Sequence, residues 1–216
     1  MKKRRMIRVL ATIMVIVPLL ATLFGLYWAW KYYGLPAFPD NREYKTIEER
    51  AEKAQAFARR HNLNEHYALF VDYAIPSGTP RLFVWDFRQK KIIARTYVMH
   101  GPGGGSTAKR PRFSNQPGSN CSSLGRFAVT KEHGRRNKRG LRMKGLDTDN
   151  QTAYTRGLMI HASFWVDRNC WMRYIPLRGK SCKGCVTVSS RGMDYLWRLV
   201  NNEKKQLLLW SFESNK

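Results

Sequence analysis

The spacing of apolar and polar positions divides the chain into three textures. Val9 to Trp30 is an uncharged, mostly apolar run. At about 1.5 Å per helical residue it would be about 33 Å long, enough for a hydrocarbon core of about 30 Å, so it predicts one membrane-spanning helix. Gly34 to Asp40 (GLPAFPD) reads as a proline-stiffened linker. Then Ile47, Ala51, Ala54, Phe57 and Ala58 recur at helical spacing, and Thr46 with Glu49 fits a capping box. A helix from that cap to Arg60 is predicted, as a packing strut.

From Tyr67 the texture is that of strands. Aromatic and β-branched runs predict strands over Tyr67–Tyr73, Arg81–Phe87, Lys91–Met99, Gly125–Thr130, Leu141–Lys144, Gly157–His161, Val186–Ser189 and Gln206–Phe212, with a helix over Met193–Asn201. Short turn-like connections such as Ile75–Pro80 favour antiparallel pairing. The expectation is a mainly β domain with few helices, preceded by one N-terminal transmembrane helix. Its predicted divisions are 1–33, a basic tip and anchor; 34–65, a linker and helical stem; and 66–216, the folded domain.

Charge sharpens the picture. Lysine and arginine outnumber acidic residues 39 to 15, a formal +24, which points to anionic partners. Lys2, Lys3, Arg4, Arg5 and Arg8 precede the apolar run and are expected on the cytoplasmic side. Trp28, Trp30, Tyr32 and Tyr33 stand where an interfacial aromatic belt is expected on the other side. A cleaved signal peptide would need a shorter run and small residues at its end. Leu26, Tyr27 and Trp28 fill that region instead. The reading is a single-pass protein of the cytoplasmic membrane, its domain in the periplasmic or extracytoplasmic space. That excludes nucleic acid and directs the charge to lipid headgroups or anionic envelope polymers.

Gly101 to Asn120 is a loop of about 20 residues dense in Gly, Pro, Ser and Asn, the kind that serves as a lid or binding loop. It lacks the Gly-Lys-Ser/Thr of a phosphate cradle. Lys109, Arg110, Arg112 and the Arg135–Arg139 cluster read mainly as a solvated basic face.

The four cysteines are Cys121, Cys170, Cys182 and Cys185. Outside the cytoplasm pairing is the default, and Cys182-Lys-Gly-Cys185 also admits a redox or metal reading. A redox pair, however, should open a helix, and here Val186-Thr-Val188 continues as a strand. The other reading is a Cys–His nucleophilic site. Gly184 permits a tight turn presenting N–H groups to a carbonyl, and His161 ends an apolar strand. A core-edge histidine and a buried cysteine would look the same at this level.

Met159-Ile-His161-Ala-Ser163 followed by Ser181-Cys-Lys-Gly-Cys185-Val-Thr-Val188 resembles the L,D-transpeptidase (YkuD-like) family, with its histidine-glycine at a strand end and its Ser/Thr-x-Gly-Cys. One branch, the murein L,D-transpeptidase catalytic-domain proteins, is also resembled upstream. The matching segments are His100-Gly101, Arg112–Asn115, Pro117–Asn120, Ser122–Gly125 and Leu141–Leu146. The resemblance runs from about Leu82 to Trp210 and implies a β-sandwich or barrel. It makes Cys185 the acylated nucleophile and His161 its proton acceptor, with Gly184 and Cys185 supplying oxyanion-hole amides. His100, Ser119, Asn120, Ala162, Ser163 and Cys182 become candidate substrate contacts, although loop-fixing hydrogen bonds by Ser119 and Asn120 are an equal alternative.

The implied reaction attacks the L-centre carbonyl of a peptidoglycan stem-peptide diamino acid, expels D-alanine and passes the acyl group to an amine. No metal or organic cofactor is implied. Hydrolysis of the same substrate (carboxypeptidase or endopeptidase), a non-catalytic peptidoglycan-binding module and a redox protein are the competing functions. Two departures stand out: Ala162 replaces the family's glycine, and Cys182 occupies the hydroxyl position three residues before the nucleophile. A Cys182–Cys185 disulfide, or pairing of Cys182 with Cys170 or Cys121, would follow if those thiols meet.

Overall fold

The computed structural model describes residues 2–33, 41–133, 139–178 and 182–214. The expected linker at 34–40 and most of the 135–139 basic cluster lie outside these residues. Helix α1, Lys2–Tyr33, contains Pro18, whose carbonyl accepts a bond from the Thr22 hydroxyl at 2.8 Å. Side chains from Met14 to Trp28 on it are broadly exposed. Among the described residues no helix is long and apolar enough to cross a membrane. Side chains of α1 are described only over 12–28, short of the about 20 residues a span needs.

Helix α2, Asn41–Arg60, starts five residues before the predicted cap, because nothing in Asn41-Arg-Glu-Tyr-Lys45 breaks a helix. Thr46 therefore lies inside the helix rather than at its start. Ile47, Ala51, Ala54, Phe57 and Ala58 are buried against the sheet, so the expected stem is a layer of the domain.

Nine strands form one sheet: β1 Tyr67–Asp72, β2 Leu82–Asp86, β3 Lys91–Thr96, β4 Val98–Met99, β5 Gly125–His133, β6 Arg139–Gly145, β7 Met159–Ala162, β8 Val186–Val188 and β9 Leu207–Phe212. Their order is β3-β2-β1-β9-β5-β6-β7-β8-β4. The two ends of that order, β3 and β4, are consecutive in sequence and separated only by Tyr97. The strand predicted over Lys91–Met99 is thus broken: its first part pairs with β2 and its second with β8, bringing the sheet close to a closed barrel. Pairing is antiparallel except for β1 with β9 and β7 with β8.

Alternation along the central strands feeds two cores. Leu69 and Val71 of β1 and Leu207 and Leu209 of β9 face the same core as Met193, Leu196, Trp197 and Val200 of helix α4, Ser190–Asn202. Their neighbours Ala68, Phe70 and Leu208 face α2. Burial on both faces explains why these strands read as continuous apolar runs, each large side chain adding about 1.5–3 kcal/mol. Helix α4 opens three residues earlier than predicted, where the Ser189 hydroxyl accepts the Gly192 N–H at 3.1 Å. Two elements were not anticipated: a 3-10 turn at Thr148–Ala153 and helix α3, Phe164–Asn169. A third, smaller core joins Met99, Val166, Ile175 and Cys182, with Cys185 packed against it.

Candidate active site

The parallel pair β7–β8 sets His161 opposite Thr187, so Cys185, two residues earlier, projects from the same face as the imidazole. The His161 Nδ1 lies 3.1 Å from the Ala162 carbonyl oxygen, to which it donates; this leaves the Nε2 lone pair for the other side of the ring. Nε2 has the Thr187 hydroxyl at 3.4 Å; the His161 imidazole is a hydrogen-bond partner of the Cys185 thiol, whose sulfur also lies 3.9 Å from the Gly157 carbonyl oxygen. Burial pushes the Cys185 thiol up, but the His161 hydrogen bond and charge, the Met159 backbone and the Arg142 guanidinium outweigh it and hold the thiol below its ordinary value. A half-buried thiol held below its ordinary value beside an imidazole has the chemistry that a nucleophilic role would need.

The turn before Cys185 is forced. Gly184 has φ +97°, and a Cβ there would collide with the Cys121 carbonyl oxygen. Behind it, a Cβ on Gly101 would collide with the Asn120 carbonyl and come 2.8 Å from the Gly184 Cα. The long loop is therefore folded back so that both its ends rest on the nucleophile turn. It contains no helix, and an isolated bridge links Phe113 to Ser122. Lys109, Arg110 and Arg112 are exposed on it, as a solvated basic face requires.

The family model for the L,D-transpeptidase catalytic domain matches residues 40–210. The chain belongs to the L,D-transpeptidase catalytic-domain family. Membership supports a peptidoglycan-related enzymatic activity. Among solved structures, the helical cell shape determining protein Pgp2 (K307A mutant) from Campylobacter jejuni is similar at 11% identity, with a TM-score of 0.39, over 77% of this chain and 55% of that one. The chain thus spans about half the length of that protein. No curated protein matches.

Cys182, the departure from the L,D-transpeptidase pattern, faces inward. It is fully buried, burial raises its pKa to about 11, and its thiol donates to the Cys185 carbonyl oxygen at 3.2 Å. The Thr187 hydroxyl also bonds to it. All four cysteines are free, so none of the three pairings open to Cys182 is formed. Among the described residues no three His, Cys, Asp or Glu side chains gather as a metal site would require.

His100 sits at the root of the long loop. It is fully buried; its Nδ1 accepts from Arg81 Nη2 at 3.0 Å and its Nε2 donates to the Thr107 carbonyl at 3.0 Å. With both nitrogens committed it fixes the loop root. Ser163 caps α3, its hydroxyl accepting the Trp165 N–H at 3.3 Å. The Ser119 hydroxyl accepts from Arg156 at 3.2 Å and from the Cys121 N–H at 3.4 Å, which is the loop-fixing alternative. Asn120, at φ +54°, turns the chain and accepts the Gly103 N–H through its carbonyl, while its side chain stays exposed. Ala162 is exposed beside His161.

Several residues around the site had not been singled out. Arg81 is fully buried, donating to the carbonyls of Val98 and Ile75 as well as to His100. Tyr73, whose pKa burial raises to about 12, bonds to Ser122, which in turn accepts the Gly101 N–H at 2.9 Å. Arg142 stacks over Tyr154, 4.6 Å from the ring centroid. Thr187, Ser122 and Arg142 lie within the family-like segments; Arg81 and Arg156 carry no local signal. Among the described residues outside α1, the exposed large apolar side chains are Tyr154, Phe164 and Trp171, at 51%, 71% and 61%. All three lie on the segments flanking His161 and Cys185. A cavity of about 470 Å³ lined by Arg95, Tyr97 and Arg191 lies instead beyond the other end of β8.

Proposed function

We propose that the protein is a peptidoglycan L,D-transpeptidase acting through a Cys185 thioester. The observation that carries the proposal is the Cys185 thiol hydrogen-bonded to the His161 imidazole and held below its ordinary value by it, on a ring whose Nδ1 is fixed by the Ala162 carbonyl. Cys185 transfers its proton to His161 Nε2, and the thiolate adds to the L-centre carbonyl of the stem-peptide diamino acid. The oxyanion is met by the Gly184 and Cys185 amides. Collapse breaks the C–N bond, and D-alanine leaves with the proton from His161. An amine from a second stem peptide then attacks the thioester, giving up its proton to His161 and restoring the thiol.

Incubating the protein with disaccharide-tetrapeptide should add the acyl mass to Cys185, release D-alanine and yield cross-linked dimers. Absence of any adduct, with Cys185→Ala indistinguishable from wild type, overturns the proposal. Hydrolysis is the second reading, favoured by the exposure of Ala162 and the half-exposure of His161, which leave water access to the thioester. Tripeptide in place of dimer is its signature.

The Val9–Trp30 run and the cations before it support a single-pass anchor in the cytoplasmic membrane. On this reading the domain works in the periplasmic space, its positive charge facing anionic envelope polymers. Retention of the full chain in the membrane fraction at high salt and high pH, with accessibility of the domain to external protease in spheroplasts, tests this placement.

A further inference from the structure

We propose that Arg156 is a positioning residue for the oxyanion-binding turn, clamping the Cys121 carbonyl against Gly184; the inference rests on the thioester reading above. Arg156 follows the 3-10 turn, its own N–H donating to the Thr152 carbonyl at 2.9 Å. Its guanidinium then reaches across the sequence to a single loop. Nη1 donates to the Ser114 carbonyl at 2.9 Å and the Ser123 hydroxyl at 2.6 Å. Nη2 donates to the Cys121 carbonyl at 2.8 Å and the Ser119 hydroxyl at 3.2 Å.

Those four acceptors are neutral oxygens on both limbs of the 114–123 segment. A planar fork with two amino groups spans them; a point cation would hold one limb at a time. The Cys121 carbonyl is also the atom with which a Cβ on Gly184 would collide, and that Cβ would come 3.1 Å from Arg156 Nη2. Guanidinium, carbonyl and glycine therefore stack in van der Waals contact, with Gly184 held at φ +97° as the last layer. The Gly184 and Cys185 backbone is held on one side by the Cys182 sulfur, to which both residues hydrogen-bond, and on the other by the Cys121 carbonyl, which Arg156 fixes in place. The side chain is half-buried and needs no contact with substrate to do so. Burial lowers the pKa of the guanidinium, and the nearby Cys121 and Cys185 sulfurs partly oppose that.

Full-length Arg156→Lys and Arg156→Ala in detergent are compared with wild type by two reactions of the same sulfur. Alkylation by iodoacetamide uses the thiolate without an oxyanion hole; acylation by disaccharide-tetrapeptide uses both. Arg156→Lys is expected to keep alkylation within about threefold and lose acylation about 100-fold. Amide exchange in 119–123 and 182–186 should quicken while the central strands stay protected. Acylation at the wild-type rate, or equal loss of both reactions with a collapsed melting temperature, overturns the positioning role. If wild type is alkylated but never acylated, the thioester reading is what fails. The exchange at 119–123 and 182–186 then decides the clamp by itself: unchanged exchange in Arg156→Lys overturns it.

Discussion

The Cys182 thiol lies 3.2 Å from the carbonyl oxygen of Cys185 and donates to it, so the backbone of the nucleophile is tethered from inside the protein. Where the family pattern has a hydroxyl, this chain retains a hydrogen-bond donor of larger radius. The thiol fills space among Met99, Val166 and Ile175 while meeting the carbonyl. Cys182→Ser should keep acylation within about threefold, because it keeps the donor. Cys182→Ala forfeits a bond of about 0.5–1.5 kcal/mol and its packing, and should slow acylation about tenfold. In native protein iodoacetamide should modify Cys185 well before Cys182, whose thiol burial pushes up to about 11. Intact-mass time courses read both effects, and wild-type acylation by Cys182→Ala would refute the tether.

His161 and Cys185 are coupled in a direction that fixes a pH profile. Burial alone would raise the thiol; the imidazole and Arg142 bring it below the ordinary 9.0. The rate of Cys185 alkylation should therefore rise through a midpoint below 9 in wild type. In His161→Ala the burial is left less opposed and the midpoint should move up. Arg142→Gln should move it in the same direction by less. Unmoved midpoints in both variants would mean that neither group acts on the sulfur.

Much of the strand pattern was legible because most strands are apolar runs bounded by turn residues, and these need no knowledge of partners. What escaped depends on partners. Nothing local announces that Tyr97 breaks a strand; the break exists because the next two residues pair with β8 at the far end of the sheet. Helix α3 is six residues long, too short to show a period. At the site, His161 and Cys185 were singled out from strand ends and family-like spacing. The partners of His100 escaped, since its neighbours in sequence do not reveal that Arg81 and Thr107 consume both ring nitrogens. Arg156 was missed because its acceptors lie 33 to 42 residues away.

Gly184 tests the geometry of the turn independently of charge. At φ +97° any side chain is strained, and a Cβ would strike the Cys121 carbonyl. Left-handed strain alone costs about 1–3 kcal/mol, and relief requires the 114–123 segment to move. Gly184→Ala should lower the melting temperature by several degrees and reduce acylation by at least about 100-fold, since the amides lose their aim. Acylation by Gly184→Ala near the wild-type rate would show that the amides of this turn are not the oxyanion donors.

His100 links stability to pH through a buried ring. Nδ1 accepts from the Arg81 guanidinium, so a proton placed there would face a charged donor inside the protein. Burial first, then the Arg81 charge, lower its pKa from 6.5 to about 3. Between those values the unfolded chain binds a proton that the native state refuses. The stability from neutral His100 is therefore complete above about 6.5 and is lost as pH falls toward 3, at up to about 1.4 kcal/mol per pH unit. His100→Asn removes the titration. It should be less stable than wild type at pH 7, where the Arg81 donor loses its acceptor, yet lose less between pH 6.5 and 4.5. Urea midpoints of the two proteins across that range decide it: converging curves support the buried neutral imidazole, and parallel ones show that His100 does not titrate on unfolding.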